Sequence, residues 1–454
     1  MSNFLLPHET VRALRADEDI DPLVAAPIEP TRRLRILVLA SRDPYPVIGG
    51  DRLRVHRIAR ELAKYHDLTL LTLCRSERER KAPLPNDGVF SRVHRVVLPT
   101  WRSWLNTLAA VPSAEPLQMA YYRSPALRAA VAALAPEHDL VLAHLVRTAD
   151  YVRDLPMPRV LDMTDAISMN LKRLHAAERG YFDLRRHIYA LEARRLVAHE
   201  RRIARDFDLV TLTSPVDRTF LFDRNRPEYS HVAVVANGVD LPEPTPPAQA
   251  TRQPGEIVFV GNLHSLQNFD AAWFFARRVL PRVRASRPDA VLRIIGPVRP
   301  AARRSLAGFP GVRVEGIVPR LDAALASARV GVCPMRVGAG IQNKVLDYFA
   351  HRLAVVCSAV ALEGLDACVD EHLLLAEGAD DWARKVLQLL EDTSLAQRLA
   401  DAGRNLATLS YRWDQRVYPL LRGIEGLLGL PSREVPDISL VGDLMPPPLE
   451  SRAS

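Results

Sequence analysis

No stretch of this 454-residue chain holds the run of about 20 apolar residues that a membrane-crossing helix needs. The opening MSNFLLPHETVRALRADEDID has only a short apolar start before acids follow, which is unlike a secretory leader. Cysteine is scarce: Cys74, Cys333, Cys357 and Cys368 form no C-x-x-C pair and no His/Cys cluster with zinc spacing, so no metal site is expected. Four scattered thiols suit a reducing compartment and read as small buried hydrophobes. Aromatic residues make up 6% of the chain, too few for a base-stacking platform, so nucleic acid is not an expected partner. Neither G-x-G-x-x-G nor G-x-x-x-x-G-K-[ST] occurs, which excludes the usual dinucleotide fingerprint and a P-loop NTPase. The expected location is the cytoplasm, at most peripheral on the inner membrane face.

What the chain does have is apolar content for large cores, with 48% hydrophobic and 25% charged residues. Its net charge is +8. Arginine carries most of the positive charge, and the excess is concentrated early, between Arg32 and Arg102. Phosphorylated small molecules or an anionic membrane surface would suit such a half, as would a merely solvated basic face.

The pattern alternates strand and helix twice. LRILVLAS (34–41) is a continuous apolar run, as expected of a strand buried on both faces. A Pro/Gly loop, a helical stretch over 55–65 and the strand DLTLLTLC (67–74) complete a βαβ unit. RVHRVVL, HDLVLAH, PRVLDMT and FDLVTLTS continue the strands, and 166–204 reads as one or two long helices. A Pro-rich connection over 232–255 then marks a linker. Strands restart at 256–262, 290–296, 311–316, 329–335 and 353–359, with a helix over 341–351 and two more after 380. The fold class is α/β, with two Rossmann-like doubly wound halves. Ligands of such sheets sit at the carboxyl ends of the strands, so the cleft between the halves is the expected site.

Four places carry candidate chemistry. Pro46-Val47-Ile48-Gly49-Gly50 leaves its backbone amides open to an anion at a helix start, with Arg52 and Arg54 beside it, although a plain tight turn would look the same. The segment 334–365 brings Arg336, Gly338, Gly340 and Lys344 to the start of a helix, a pattern suited to a diphosphate. Lys344 and Asp347 are three apart on that helix, a spacing that also suits a surface ion pair. His144 ends a strand and points toward the cleft, where a purely structural histidine is the alternative. Asp162 and Asp165 are either cleft acids or helix caps.

The segment PMRVGAGIQNKVLD resembles the donor loop of the retaining glycosyltransferase family 4, GT-B fold, in its bacterial exopolysaccharide branch. The likeness extends over about 34–415, through GGDRLRVHRIARELAKYHDLTLLT, VLDMTDAIS, NGVD, FVGN and YRW. It implies two Rossmann-like domains facing across a cleft, with residues 32–236 presenting the acceptor and 237–410 gripping a nucleotide-sugar donor. Residues 411–430 would be a helix returning to the first domain, between an N-terminal extension (1–31) and a Pro-rich tail (431–454).

The resemblance further implies hexosyl transfer without metal or added cofactor from a UDP- or GDP-linked sugar. The acceptor would be a saccharide or a polyprenyl-diphosphate-linked glycan. Asp347 matches the acid that holds the donor ribose, one methylene shorter than the usual glutamate. Ala339 replaces the other acid of that pair. Asn262 and Gln267 stand where a diphosphate-clamping Arg and Lys are usual, a duty that would pass to Arg336 and Lys344. Gly49, Gly50, Gly338, Gly340, Asn343, Glu363 and Gly364 fall around the donor. Ile317 and Val318 fall in the base-reading loop, and His144 and Asp162 in the catalytic cleft. Two alternatives stay open: a nucleotide-sugar epimerase, and a catalytically inactive GT-B binding subunit.

Overall fold

The computed structural model describes residues 32–177, 184–223, 225–242 and 252–431. The expected N-terminal extension, the Pro-rich core of the linker and the Pro-rich tail lie outside the described residues.

The first sheet holds seven parallel strands. They are β1 (Arg35–Ala40), β2 (Asp67–Cys74), β3 (Arg92–Val97), β4 (Leu140–His144), β5 (Arg159–Thr164), β6 (Leu209–Leu212) and β7 (Val232–Val234). Their spatial order is β3-β2-β1-β4-β5-β6-β7. The second sheet holds β8 (Glu256–Val260), β9 (Val291–Ile295), β10 (Val312–Gly316), β11 (Val330–Cys333), β12 (Ala354–Cys357) and β13 (Leu374–Leu375), in the order β10-β9-β8-β11-β12-β13. Helices cover both faces of each sheet, so β1 and β2 are buried at every position after the first, which is why they read as unbroken apolar runs.

In each sheet the strand order reverses beside the first strand, between β1 and β4 and between β8 and β11. That reversal opens a crevice at the carboxyl ends. The loops over it are Ser41–Gly49 and the segment after His144 in one lobe, and Gly261–Asn262 and Pro334–Gln342 in the other.

The lobes are joined by two passes of chain that lie side by side. Val239 N–H donates to Tyr411 O at 2.7 Å. A Cβ on Gly238 would meet the Trp413 backbone at 2.7 Å, so this crossing needs glycine. Tyr411 is buried in the second lobe, whereas the helix Trp413–Leu427 buries Trp413, Val417, Leu420, Leu421 and Ile424 against Ile36, Val38 and Val55 of the first. The chain therefore ends its described course packed on the lobe where it began.

Three of the cysteines are buried, as expected; Cys368 is exposed, because it lies on a surface loop beyond β12. Cys368, Glu371 and His372 form a group of metal-capable side chains among the described residues, on that exposed loop. His372 Nδ1 is already engaged by the Cys368 amide at 3.0 Å.

Candidate active site

The helix Gly50–Ala63 starts directly after Gly49, whose φ of 103° is one that an L side chain rarely adopts. That start faces the start of Asn343–Ala350 in the other lobe: a Cβ on Gly50 would lie 3.8 Å from Asn343 Nδ2. The two Gly-rich loops singled out in the sequence therefore confront each other across the crevice.

Behind them runs a buried polar chain. Arg54 is fully buried and grips Asp162 with two nitrogens, Nε at 2.9 Å from Oδ2 and Nη2 at 2.7 Å from Oδ1. Its remaining Nη1 donates to Asn237 Oδ1 at 2.7 Å, and Asn237 Nδ2 donates to Asn343 Oδ1 at 2.8 Å. Asp162 also accepts from Thr211 Oγ1 at 2.9 Å and meets His144 Nδ1 at 2.9 Å. His144 Nε2 sits 3.1 Å from the Asp51 carbonyl. Burial alone would raise the Asp162 carboxyl, but the Arg54 charge and the bonds from His144 and Arg54 outweigh it and hold it well below the usual carboxylate range.

This corrects three expectations. Arg54 does not stand beside the Gly-Gly loop as a free cation, because it points into the core. Asp162 is not open to the cleft: Arg54, Thr211 and His144 engage its carboxylate, and His144, expected to point into the cleft, is itself buried with its other ring nitrogen against the Asp51 carbonyl.

Asp165 caps no helix. The first-turn amide of Ser168 goes instead to Glu200 Oε1 at 3.3 Å, and the nearby Asp217 ties the residue before the helix to the other lobe, with Oδ1 accepting the Ala166 amide at 2.7 Å and Oδ2 the Gly340 amide of the 334–342 loop at 3.1 Å. Burial, reinforced by the Asp217 charge, pushes the Asp165 carboxyl up to about 7. The same side of the crevice carries a lobe-to-lobe clasp. Arg173 Nη1 donates to Gly338 O at 2.6 Å and Nη2 pairs with Glu363 at 2.7 Å. Gly364 lies so close to Ser214 that a Cβ there would be 2.9 Å from the serine Cβ. Gly338, Gly340, Glu363 and Gly364 are thus brought together at the lobe boundary.

Lys344 and Asp347 share the first turns of Asn343–Ala350 but form no ion pair. Lys344 is buried; its Nζ donates to Gln342 Oε1 at 3.0 Å and lies 5.6 Å above the Phe259 ring. The Asp347 carboxylate has no hydrogen-bonding partner among the described residues. Burial, with the Asp240 charge nearby and against the pull of Lys344, pushes it up to about 7. Arg336 departs from the expectation of a free clamp: Asp270 pairs with it in two-pronged fashion, and its guanidinium lies 5.4 Å from the Phe274 ring centre. Together with Gln267, Trp273, Arg277 and Arg278, these residues line a cavity of about 750 Å³ whose other wall is Leu174 and Ala176 of the first lobe.

The remaining candidates stand apart. Asn262 holds its own turn, with Oδ1 accepting the His264 amide at 3.0 Å. Ile317 is exposed beyond β10, and Val318 packs against the second core. Sequence reasoning did not single out Asn237, Asp217, Arg173 or Asp270. Asn237 was within reach, since N-G-V-D sits at the lobe crossing. Asp217 follows a Ser-Pro helix start, where an acid is usually read as a local cap. Arg173 is one arginine among many on its helix.

A second cavity of about 670 Å³ opens within the first lobe over the ends of β1, β2 and β3, lined by Arg42, Arg52, Arg75, Arg95, Tyr121 and Tyr122 among others. Tyr122 receives a 3.0 Å bond from Arg42 Nε.

Residues 254–392 match the family model described as glycosyl transferases group 1. That match lies in the second lobe. A curated relative, an uncharacterised 44.6 kDa protein in the cps region of Klebsiella pneumoniae, is 25% identical over 152 residues, which take in 32% of this chain and 39% of the relative. The matched part thus spans well under half the length of that relative. Among solved structures, sucrose-phosphate synthase from Thermosynechococcus elongatus superposes with a TM-score of 0.64 at 16% identity, covering 87% of this chain and 99% of that one. Anabaena HepE, solved in complex with UDP and glucose, gives 0.62 at 14% identity over 87% and 100%. The fold is GT-B.

Proposed function

We propose that the chain is a glycosyltransferase that moves a hexose-type sugar from a UDP- or GDP-linked donor to a saccharide or lipid-linked acceptor, with retention, in the synthesis of a surface polysaccharide. The observation that carries this reading is the meeting of Gly49-Gly50 with the Lys344–Asp347 helix start across the lobe crevice. The group 1 match over 254–392 supports a donor role for the second lobe. The UDP-bound relative and the cps-region relative support the substrate class and the setting.

In this reading the diphosphate lies between the amides of Gly49 and Gly50 and the Lys344 ammonium. Asp347, with its unpaired carboxylate, takes the ribose hydroxyls. His144, fixed by Asp162, borders the sugar. The Arg- and Tyr-lined cavity of the first lobe takes the acceptor. Attack on the same face lets the departing phosphate accept the acceptor proton, so the protein's main task is to stabilise charge growing on that phosphate. No metal or added cofactor is called for.

The occupied state of Arg336 gives the inactive-subunit alternative its support, since that residue was expected to hold the diphosphate. A thermal-shift screen of UDP, GDP, ADP, CMP and TDP, with their common sugars, on the wild type and Lys344→Ala tests the proposal. A rise with one nucleotide, lost in the variant, supports the donor site. Nucleotide binding without sugar transfer or donor hydrolysis sustains the inactive-subunit reading, and no shift with any nucleotide overturns the donor assignment.

A further inference from the structure

The helix Thr100–Ala110 is built inside out. A helix on a globular surface normally turns its apolar stripe inward. Here the small and polar residues face the protein: Ser103 and Ala110 are buried, and Asn106 Nδ2 donates to the Arg123 carbonyl at 2.9 Å. The large apolar residues Trp101, Trp104, Leu105 and Leu108, with Val111 just beyond, point to solvent. Each is more than half exposed, Trp101 at 64% and Leu108 at 65%. No other element among the described residues presents such a set of exposed large apolar side chains.

The stretch of sequence that carries this stripe has charges of one sign, although Arg92 and Arg95 are paired with Glu137 and Asp43 from elsewhere, and Asp43 and Glu79 also line the adjoining cavity. No acid occurs between Asp87 and Glu115, while Arg92, Arg95 and Arg102 do. Arg102 on the helix, and Arg52 and Arg75 at the adjoining cavity, form no ion pair among the described residues. The stripe is also continuous with that cavity. Trp104 meets Tyr121 edge-on at 5.8 Å, Tyr121 meets Tyr122 at 5.0 Å, and Thr100 and Ser103 form part of the cavity wall.

We propose that Thr100–Val111 is an interfacial helix that lays Trp101, Trp104, Leu105 and Leu108 into the surface of an anionic bilayer and so brings the Arg-lined cavity to lipid-borne molecules. Tryptophan suits that depth because its ring is apolar while its N–H reaches water, and unpaired arginines add attraction to anionic headgroups. An anionic, lipid-anchored acceptor would enter with its charged head among Arg42, Arg52 and Arg75 and its chain along the aromatic path. The acceptor part of this inference rests on the transfer reading above; the docking does not.

The test is co-sedimentation of the full chain with vesicles of phosphatidylcholine alone and with about a third phosphatidylglycerol. Three proteins are compared: the wild type, the triple variant Trp101→Ser/Trp104→Ser/Leu108→Ser, and Arg102→Glu. The substituted side chains are all exposed, so the fold is expected to survive, and melting curves check it. The wild type should bind the anionic vesicles, less so at high salt, with quenching of tryptophan emission by brominated lipid. The triple variant should bind roughly tenfold more weakly or worse, and Arg102→Glu should lose the preference for anionic lipid. Equal binding by the triple variant and the wild type, or no binding by the wild type, overturns the proposal. So does a wild-type dimer that the triple variant converts to monomer without lipid, because that assigns the stripe to a second copy of the chain. Nucleotide thermal shifts on the same preparations are read separately: their absence counts against the transfer reading and leaves the vesicle result to decide the docking.

Discussion

Arg54 and Asp162 form a fully buried, two-pronged ion pair beneath His144. Neither charge has water to fall back on, so removing one strands the other. Arg54→Met should therefore cost about 3–5 kcal/mol of stability, and Asp162→Asn a comparable amount. A double-mutant cycle in urea should show strong coupling, with the double variant recovering part of either single loss. Additive losses would mean that the pair does not act as a unit. The folded-state pKa of Asp162 lies below its unfolded value, so its contribution is present above the unfolded carboxylate range and fades only in strong acid.

Asp165 should behave with the opposite sign. Its carboxyl is raised to about 7 by burial and by Asp217. The folded state therefore holds its proton where the unfolded chain has lost it, and the group's favourable contribution falls as pH rises from the ordinary carboxylate range through about 7. Asp165→Asn removes a charge that the site resists. The variant should melt above the wild type at pH 8, with the gap narrowing toward pH 5. A pH-independent difference in melting temperature would assign the effect to something other than this titration.

The frame of the molecule was readable in the sequence because parallel strands covered on both faces leave unbroken apolar runs, as in 34–41 and 67–74. The lobe crossing announced itself through Asn237-Gly238 and prolines. The candidate site was readable only as loops. Gly50 and Asn343 do meet across the crevice, with Gly49, Lys344 and Asp347 beside them in sequence. What each charge does there depends on partners far away in sequence: Arg54 with Asp162, Arg336 with Asp270, Arg173 with Glu363. No local pattern encodes such pairings. Thr100–Ala110 has ordinary helical spacing of Trp and Leu, and spacing alone does not say which face the fold leaves uncovered.

Asp347 gives a direct pH test of the proposed donor site. Ribose hydroxyls donate hydrogen bonds, and they favour the ionised carboxylate over the neutral acid. With the free-protein carboxyl raised to about 7, nucleotide affinity should strengthen as pH rises through that value and should be accompanied by proton release. Calorimetry in buffers of different ionisation enthalpy measures both. Asp347→Asn should bind more weakly and lose the proton release. Unchanged release in the variant would move the titrating group elsewhere, with Asp165 the next candidate.

Lys344 is held between Gln342 Oε1 and the Phe259 ring, close to where the two Gly-rich loops meet. A buried ammonium with one neutral oxygen partner is poorly satisfied, and an incoming diphosphate would supply the missing anion. If negative charge grows on that diphosphate during transfer, Lys344 matters more in the transition state than in the bound ground state. Lys344→Ala should then cost about 2–4 kcal/mol of transition-state stabilisation, seen as a fall in kcat larger than the rise in donor KM. Lys344→Arg keeps the charge but not the compact head, and in this enclosed position it should recover only part of the loss. A variant that raises KM with kcat intact would place Lys344 in donor binding alone, and stabilisation of the leaving phosphate would then fall to the amides of Gly49 and Gly50.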